Sequence, residues 1–97
     1  MKVNITSRGH DLTDFLQDYI EKRIGRLEKY IHGDGQVNVV LERDASGQVV
    51  EMNVHALHKI LCAKERGEHV RDCIDKTVSK VEAQLRKHKE KLIERRP

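Results

Sequence analysis

Hydrophobic and polar residues alternate along four stretches of the chain, which is the pattern of a β-strand with one buried face. In the first stretch, Val3 and Ile5 lie on one side and polar residues on the other. A hairpin loop at residues 44–47 and a tight turn at His58-Lys59 are predicted between the later strands. The predicted strands are residues 2–8, 37–43, 48–57 and 60–66. The later strands are predicted to bury Val37, Val39, Leu41, Met52, Val54, Ala56, Leu61 and Ala63, with Cys62, Lys64 and Arg66 facing outward.

Two further stretches repeat their hydrophobic residues every three or four positions, as an α-helix with one apolar face does. The first helix is predicted to begin after a cap at Asp11 or Thr13 and to run to about Ile31. Its apolar face consists of Leu12, Leu16, Ile20, Ile24, Leu27 and Ile31. The second helix is predicted over residues 70–93, with a face of Val70, Ile74, Val78, Val81, Leu85, His88 and Leu92. At about 1.5 Å per residue it exceeds roughly 30 Å, so its last turns are expected to project beyond a four-stranded sheet.

The element order β-α-β-β-β-α predicts a single α+β domain over residues 1–97, a length at which one core is the rule. Each helix and each strand has one apolar face, and all these faces are buried together when both helices pack on one side of the sheet. The expected architecture is a two-layer sandwich of a four-stranded sheet and two helices. A right-handed β-α-β unit is the expected start.

Charge is distributed unevenly along the chain. The whole sequence has a formal net charge of +3, but residues 76–97 hold eight Lys or Arg against three Glu. A body of slightly negative charge therefore ends in a basic helix, and such a field favours a polyanion such as nucleic acid. The basic residues of this helix are Lys76, Lys80, Arg86, Lys87, Lys89 and Lys91, and the first helix adds Lys22, Arg23, Arg26 and Lys29.

If the two helices lie side by side, these two basic patches are expected to form one groove. Cations repeated along a helix can each meet a phosphate and release counterions, which makes binding steeply dependent on salt. The alternative is a pair of solvated helix faces whose charges serve solubility. With three aromatic residues, base stacking has weak support, because Phe15 and Tyr19 are predicted to flank the core and only Tyr30 remains.

Other classes of function find little support in the sequence. His55 and His58 would point to opposite faces of a strand, so neither a metal site nor a cofactor is predicted. The sequence contains no phosphate-binding glycine loop and no nucleophile motif, which argues against an enzyme. Two cysteines, Cys62 and Cys73, are too few for a disulfide scaffold. No signal peptide or apolar run of membrane-spanning length occurs, so a cytoplasmic protein without membrane contact is expected.

Several short motifs, in their order and spacing, resemble the ribosome hibernation-promoting factor family, also called the sigma-54 modulation or ribosome-associated inhibitor family. They are Asn4-Ile5-Thr6, Arg26-Leu27-Glu28-Lys29-Tyr30, Ala63 with Gly67 followed by Ile74-Asp75-Lys76, and the most specific, Val81-x-x-Gln84-Leu85-x-Lys87-His88-Lys89-Glu90-Lys91-Leu92. The likeness covers essentially the whole chain. Departures from the family pattern occur at His69, where Asp is usual, at Arg71-Asp72-Cys73, which replaces an aromatic-then-small run, and at Ala83, which is basic in some relatives.

The resemblance implies a fold similar to double-stranded RNA-binding domains. It also implies a protein that occupies the decoding channel of the small ribosomal subunit, contacts its ribosomal RNA, and silences translation in stationary phase or stress. The RNA-binding residues that it implies are Arg23, Arg26, Lys80, Lys87, Lys89 and Lys91, to which the charge pattern adds Arg86 and Lys29. The chain resembles the short members of the family, without the dimerising C-terminal domain of long forms. It is expected to be a monomer off the ribosome.

Two other functions stay open on the residues alone. One is a protein-interaction module that docks through the Leu85–Leu92 end of the second helix, and the other is a general RNA-binding protein without ribosome preference. RNA contact predicts an affinity that falls steeply with salt, whereas apolar docking predicts little change.

Overall fold

The computed structural model describes every residue of the chain except His10, His32 and residues 95–97, and for residues 91–94 it describes the backbone alone. The element order β-α-β-β-β-α is confirmed. The elements are β1 (Lys2–Arg8), α1 (Asp14–Ile24), β2 (Gln36–Asp44), β3 (Gly47–Ala56), β4 (Lys59–Gly67) and α2 (Val70–Glu94).

The four strands form one sheet in the order β1-β2-β3-β4. β1 pairs parallel with β2, while the β2–β3 and β3–β4 pairs are antiparallel hairpins. The parallel start predicted from the sequence is therefore confirmed. The register places Ile5, Val39, Met52 and Ala63 side by side across the sheet, so one face carries a continuous apolar surface.

The core lies between that face and the two helices. Side chains from all three components are fully buried, including Val39 and Met52 from the sheet, Ile24 from α1, and Ile74 and Leu85 from α2. Aliphatic residues of this size each contribute about 1.5–3 kcal/mol when they are buried completely. The other face of the sheet carries in-register polar residues (Asn4, Asn38 and Asn53). The fold is thus the expected two-layer α+β sandwich.

The α-helical hydrogen bonding of the first helix stops at Ile24, earlier than the predicted end near Ile31. Thr13, one of the two predicted caps, accepts a hydrogen bond through Oγ1 from the Leu16 amide at 3.1 Å. A short 3-10 helix, Gly25–Leu27, follows α1, and the Glu28 amide donates to the Gly25 carbonyl at 3.2 Å. Glycine disfavours the α-helix by about 1 kcal/mol, so the backbone tightens there. The tighter turns still bury Leu27 and Ile31.

The turn between β3 and β4 lies one residue earlier than predicted, at Leu57-His58. Both residues have positive φ angles, 54° and 60°. Two consecutive positive φ angles define the primed two-residue turn whose twist matches a β-hairpin. Lys59, predicted as part of the turn, is instead the first residue of β4.

The two helices run side by side and in the same direction. The Tyr19 hydroxyl donates to the Asp75 carboxylate at 2.8 Å, and Arg26 Nη2 lies 2.9 Å from Glu82 Oε1. Each pair joins residues 56 positions apart, and a constant difference along two helices requires that they be parallel. Both helices therefore begin at the same end of the molecule.

Within the described part of the chain, no helix is long and apolar enough to span a lipid bilayer.

Candidate nucleic-acid interface

The predicted cations lie on two flanks of α2 and do not meet in one groove. A helix turns about 100° per residue, so positions four and seven apart share a side while a shift of one or two residues changes it. We call the flank along β4 the edge strip, formed by Lys76, Lys80 and Lys87. We call the boundary between α1 and α2 the seam, where the cations are Arg23, Arg26, Lys29, Arg86 and Lys89. The expectation of a single groove is wrong because α2 itself separates the two groups.

The edge strip follows the outer edge of the sheet. Lys80 Nζ contacts the Glu65 carboxylate on β4, and Gln84 Nε2 donates to the Cys62 carbonyl at 3.2 Å. Lys87 lines a shallow groove together with Lys59 of β4. Lys59 was absent from the sequence prediction because it was assigned to a turn. The side chain of Lys91 lies outside the described residues.

Lys76 and Lys87 are the most available cations of the edge strip. Both are exposed, and neither has an ion-pair partner among the described side chains. Lys80 is exposed as well, but its ammonium group is shared with Glu65. A phosphate can therefore approach Lys76 and Lys87 without breaking an internal contact.

In the seam, cations of α1 and of the turns that follow it are paired with acids of α2. Arg23 Nε lies 3.1 Å from Asp75 Oδ1, and Arg26 Nη2 lies 2.9 Å from Glu82 Oε1. Lys29 Nζ lies 3.8 Å from the other oxygen of Glu82. Glu82 is only 7% exposed, and a carboxylate so far from water needs a partner. These seam cations therefore hold the two helices together in addition to any contact with a ligand.

The far end of the seam carries two cations, Arg86 and Lys89, that have no carboxylate within ion-pair distance among the described side chains. A hydrogen bond with the Tyr30 hydroxyl raises the pKa of the Arg86 guanidinium, which stays positively charged in any case. Lys89 Nζ donates to the Lys29 carbonyl at 3.4 Å, and the Lys29 ammonium lies 5.2 Å from the centre of the Tyr30 ring. Tyr30, the predicted stacking residue, is thus half-buried beneath these cations.

Phe15 is placed differently from its prediction. Its side chain is 66% exposed, whereas Tyr19 is half-buried and packs against the core as expected. The apolar face passes through Leu12, Leu16 and Ile20, and Phe15 lies about 100° away from Leu16 around the helix. A helical projection of the sequence contains this signal, since it places Phe15 on the flank of the apolar face and not within it.

The histidines and cysteines that the structure describes form no common site. Among the described residues, no group of three His, Cys, Asp or Glu side chains is placed to hold a metal ion. Cys62 is exposed and Cys73 is buried, and both are free thiols. Burial raises the pKa of the Cys73 thiol. His88 makes a 3.3 Å hydrogen bond with the Leu57 carbonyl, which ties α2 to the β3–β4 turn.

The structure leaves less apolar surface available at residues 85–92 than the docking hypothesis predicts. Leu85 is fully buried in the core, so it is not available to a partner protein. The side chain of Leu92 lies outside the described residues. What α2 presents to solvent in its described turns is mainly charge.

Several known proteins resemble this chain in sequence and in fold. The family model described as Sigma 54 modulation protein / S30EA ribosomal protein matches residues 3–93. The chain is 37% identical over 95 residues to the ribosome hibernation promoting factor of Azotobacter vinelandii, covering 98% of this chain and 89% of that protein. It is 31% identical over 96 residues to the ribosome hibernation promotion factor of Bacillus subtilis, covering 95% of this chain and 50% of that protein.

Solved structures agree with these sequence matches. The N-terminal domain of Protein Y from Thermus thermophilus superposes with a TM-score of 0.85 at 26% sequence identity, covering 91% of this chain and 99% of that domain. The resemblance inferred from short motifs is confirmed, and the chain belongs to the Sigma 54 modulation protein / S30EA ribosomal protein family.

Proposed function

We propose that this protein is a ribosome hibernation factor that binds ribosomal RNA in the decoding channel of the small ribosomal subunit. By occupying that channel it blocks translation in stationary phase or stress. Its relatives from Azotobacter vinelandii and Bacillus subtilis carry hibernation in their names, which supports the general role. A protein with this partner acts in the cytoplasm, as a monomer until it meets the ribosome.

The observation that carries the proposal is the presence of cations on both flanks of α2, all of them exposed except the half-buried Lys89. Lys76, Lys80 and Lys87 lie on one flank, and Arg86 and Lys89 lie on the other. A 25-residue helix with cations on both sides can lie between two phosphate backbones and contact each of them. This arrangement suits a channel lined with folded RNA.

The contacts within the protein rank the proposed RNA-binding residues. Lys76 and Lys87 are unpaired among the described residues, so their full charge is available to phosphate. Arg23 and Arg26 are engaged with Asp75 and Glu82, so we expect each to contribute less to affinity than Lys87 does. Affinity falls as salt rises, and each lost phosphate contact makes the slope of log affinity against log salt shallower by about 0.7 to 0.9.

Co-sedimentation with purified small ribosomal subunits across a salt series tests the proposal. The test variant is Lys76→Glu/Lys87→Glu, and its matched control is Lys2→Glu/Lys64→Glu on the uncovered face of the sheet. We expect steeply salt-dependent binding that the test variant abolishes and the control retains. Excess double-stranded RNA of unrelated sequence, which has no site in the decoding channel, serves as a competitor that separates ribosome preference from general RNA binding.

Three results would contradict the proposal. Absence of binding to small ribosomal subunits at low salt would contradict the proposed recognition of the ribosome. Binding that does not change with salt would favour a protein contact, and binding that unrelated double-stranded RNA removes would favour a general RNA-binding protein.

A further inference from the structure

Both helices begin at one end of the molecule, and an aromatic side chain lies exposed there. Phe15, in the first turn of α1, is 66% exposed and is not part of the described core or of the hydrophobic residues packed against it. The Arg71 guanidinium at the start of α2 lies 5.9 Å from the centre of its ring. This contact leaves most of the ring open, so Phe15 is an unpartnered aromatic surface.

The charges around Phe15 are opposite in sign to those of the edge strip. Asp14 and Asp18 flank the ring on α1, and Asp72 follows Arg71 on α2; all three carboxylates are exposed. An acid in the first turn of a helix stabilises the helix dipole, which accounts for Asp14 and Asp72. It accounts neither for Asp18, which is beyond the first turn, nor for the exposed ring. We call these five residues the helix-start patch.

We propose that the helix-start patch binds a Lys- or Arg-rich segment of a ribosomal protein while the edge strip and the seam bind RNA; this inference rests on the proposed ribosome binding. Carboxylates at this end repel phosphate and attract ammonium or guanidinium groups. An aromatic ring accepts the stem of a lysine or arginine and attracts its charged head. The helix-start patch thus recognises the protein component of a ribosome, while the edge strip and the seam recognise its RNA.

A charge reversal at Asp18 distinguishes the two kinds of partner by the sign of its effect. If the patch faces a basic protein segment, Asp18→Lys weakens binding to small ribosomal subunits, whereas a patch facing RNA would bind more tightly. Phe15→Ala is expected to weaken binding about tenfold, as loss of a central aromatic contact does. The control Gln17→Ala removes another exposed side chain of α1 that lies outside the patch and outside the proposed RNA-binding surfaces, and it should change affinity less than about twofold.

Photocrosslinking identifies the partner directly. Phe15 is replaced by p-benzoylphenylalanine, and the full chain is irradiated in complex with small ribosomal subunits. We expect a crosslinked product that survives ribonuclease and contains a basic ribosomal protein. A crosslink to RNA alone would contradict protein binding by the helix-start patch, and so would the absence of a crosslink from a chain that still co-sediments. Neither result would contradict the proposed function. Failure of the unsubstituted chain to co-sediment overturns both.

Discussion

Replacing Glu82 with glutamine is expected to lower the stability of the fold and raise its affinity for RNA at the same time. Glu82 is 7% exposed and accepts a hydrogen bond from Arg26 at 2.9 Å, with Lys29 at 3.8 Å from its other oxygen. Glutamine keeps the size of the side chain but removes its negative charge. Arg26 and Lys29, which follow α1, then lose the carboxylate that neutralises them.

The size of the stability loss follows from the exposure of the pair. A fully buried ion pair costs about 3–5 kcal/mol when one partner is removed, and an exposed one about 0–1 kcal/mol. The Arg26 side chain is 45% exposed, so water screens one partner of this pair. We therefore expect a loss of roughly 1–2 kcal/mol, which lowers the melting temperature of a domain of this size by about 5–10 °C.

The gain in affinity arises from the cations that are released. Arg26 and Lys29 become free to meet phosphate, which steepens the salt slope by about one unit for each additional contact. Thermal unfolding followed by circular dichroism measures the stability, and co-sedimentation with small ribosomal subunits at several salt concentrations measures the affinity.

Glu90→Gln is the matched control, since it makes the same charge change at an exposed position of the same helix. It should raise affinity slightly through net charge and leave the melting temperature unchanged. If Glu82→Gln and Glu90→Gln have the same melting temperature, the ion pair between Arg26 and Glu82 does not hold the helices together. If the two variants bind small ribosomal subunits with the same affinity, Arg26 and Lys29 do not reach RNA.

Further predictions concern the glycines and cysteines. Gly25→Ala should stabilise the fold by about 0.5–1 kcal/mol in a denaturant titration, because an added Cβ meets no atom within 4 Å and alanine favours the helix. Gly47→Ala should destabilise it in the same titration, since φ is +131° and the Cβ would lie 2.7 Å from the Gly67 carbonyl oxygen. Cys62 should react with Ellman's reagent within minutes and Cys73 only on unfolding, because Cys73 is buried and burial raises the pKa of its thiol. Equal reaction rates for the two thiols in the folded protein would contradict that placement.

The sheet was readable from the sequence because its strands bury one face only. Alternation at Val37, Val39 and Leu41 leaves one choice of inward side, and the structure buries all three. The β3–β4 turn was less accessible to prediction, because Leu57 and His58 have no intrinsic preference for positive φ. That turn is set by the pairing of its strands and by the hydrogen bond between His88 and the Leu57 carbonyl.

The sequence predicted which residues of the candidate site are basic, but it did not predict how they are arranged in space. The number and spacing of cations on α2 showed that the helix is basic, but which cations remain free depends on partners distant in sequence. Arg26 meets Glu82 and Lys80 meets Glu65, and neither contact follows from local spacing. The exposed position of Phe15 required only the angle between it and the apolar face of α1, which the sequence does contain.

The contact between α2 and the edge of β4 also bears on how the protein behaves when it is abundant. An edge strand exposes backbone groups that can pair with a strand of another molecule, and this is a common route to aggregation. Here Gln84 already occupies the Cys62 carbonyl, and Lys59 and Lys64 add charge along the same strand. A second molecule would have to displace Gln84 and bring like charges together to extend the sheet. The helix that carries the cations therefore also protects the β4 edge from pairing with a strand of another molecule.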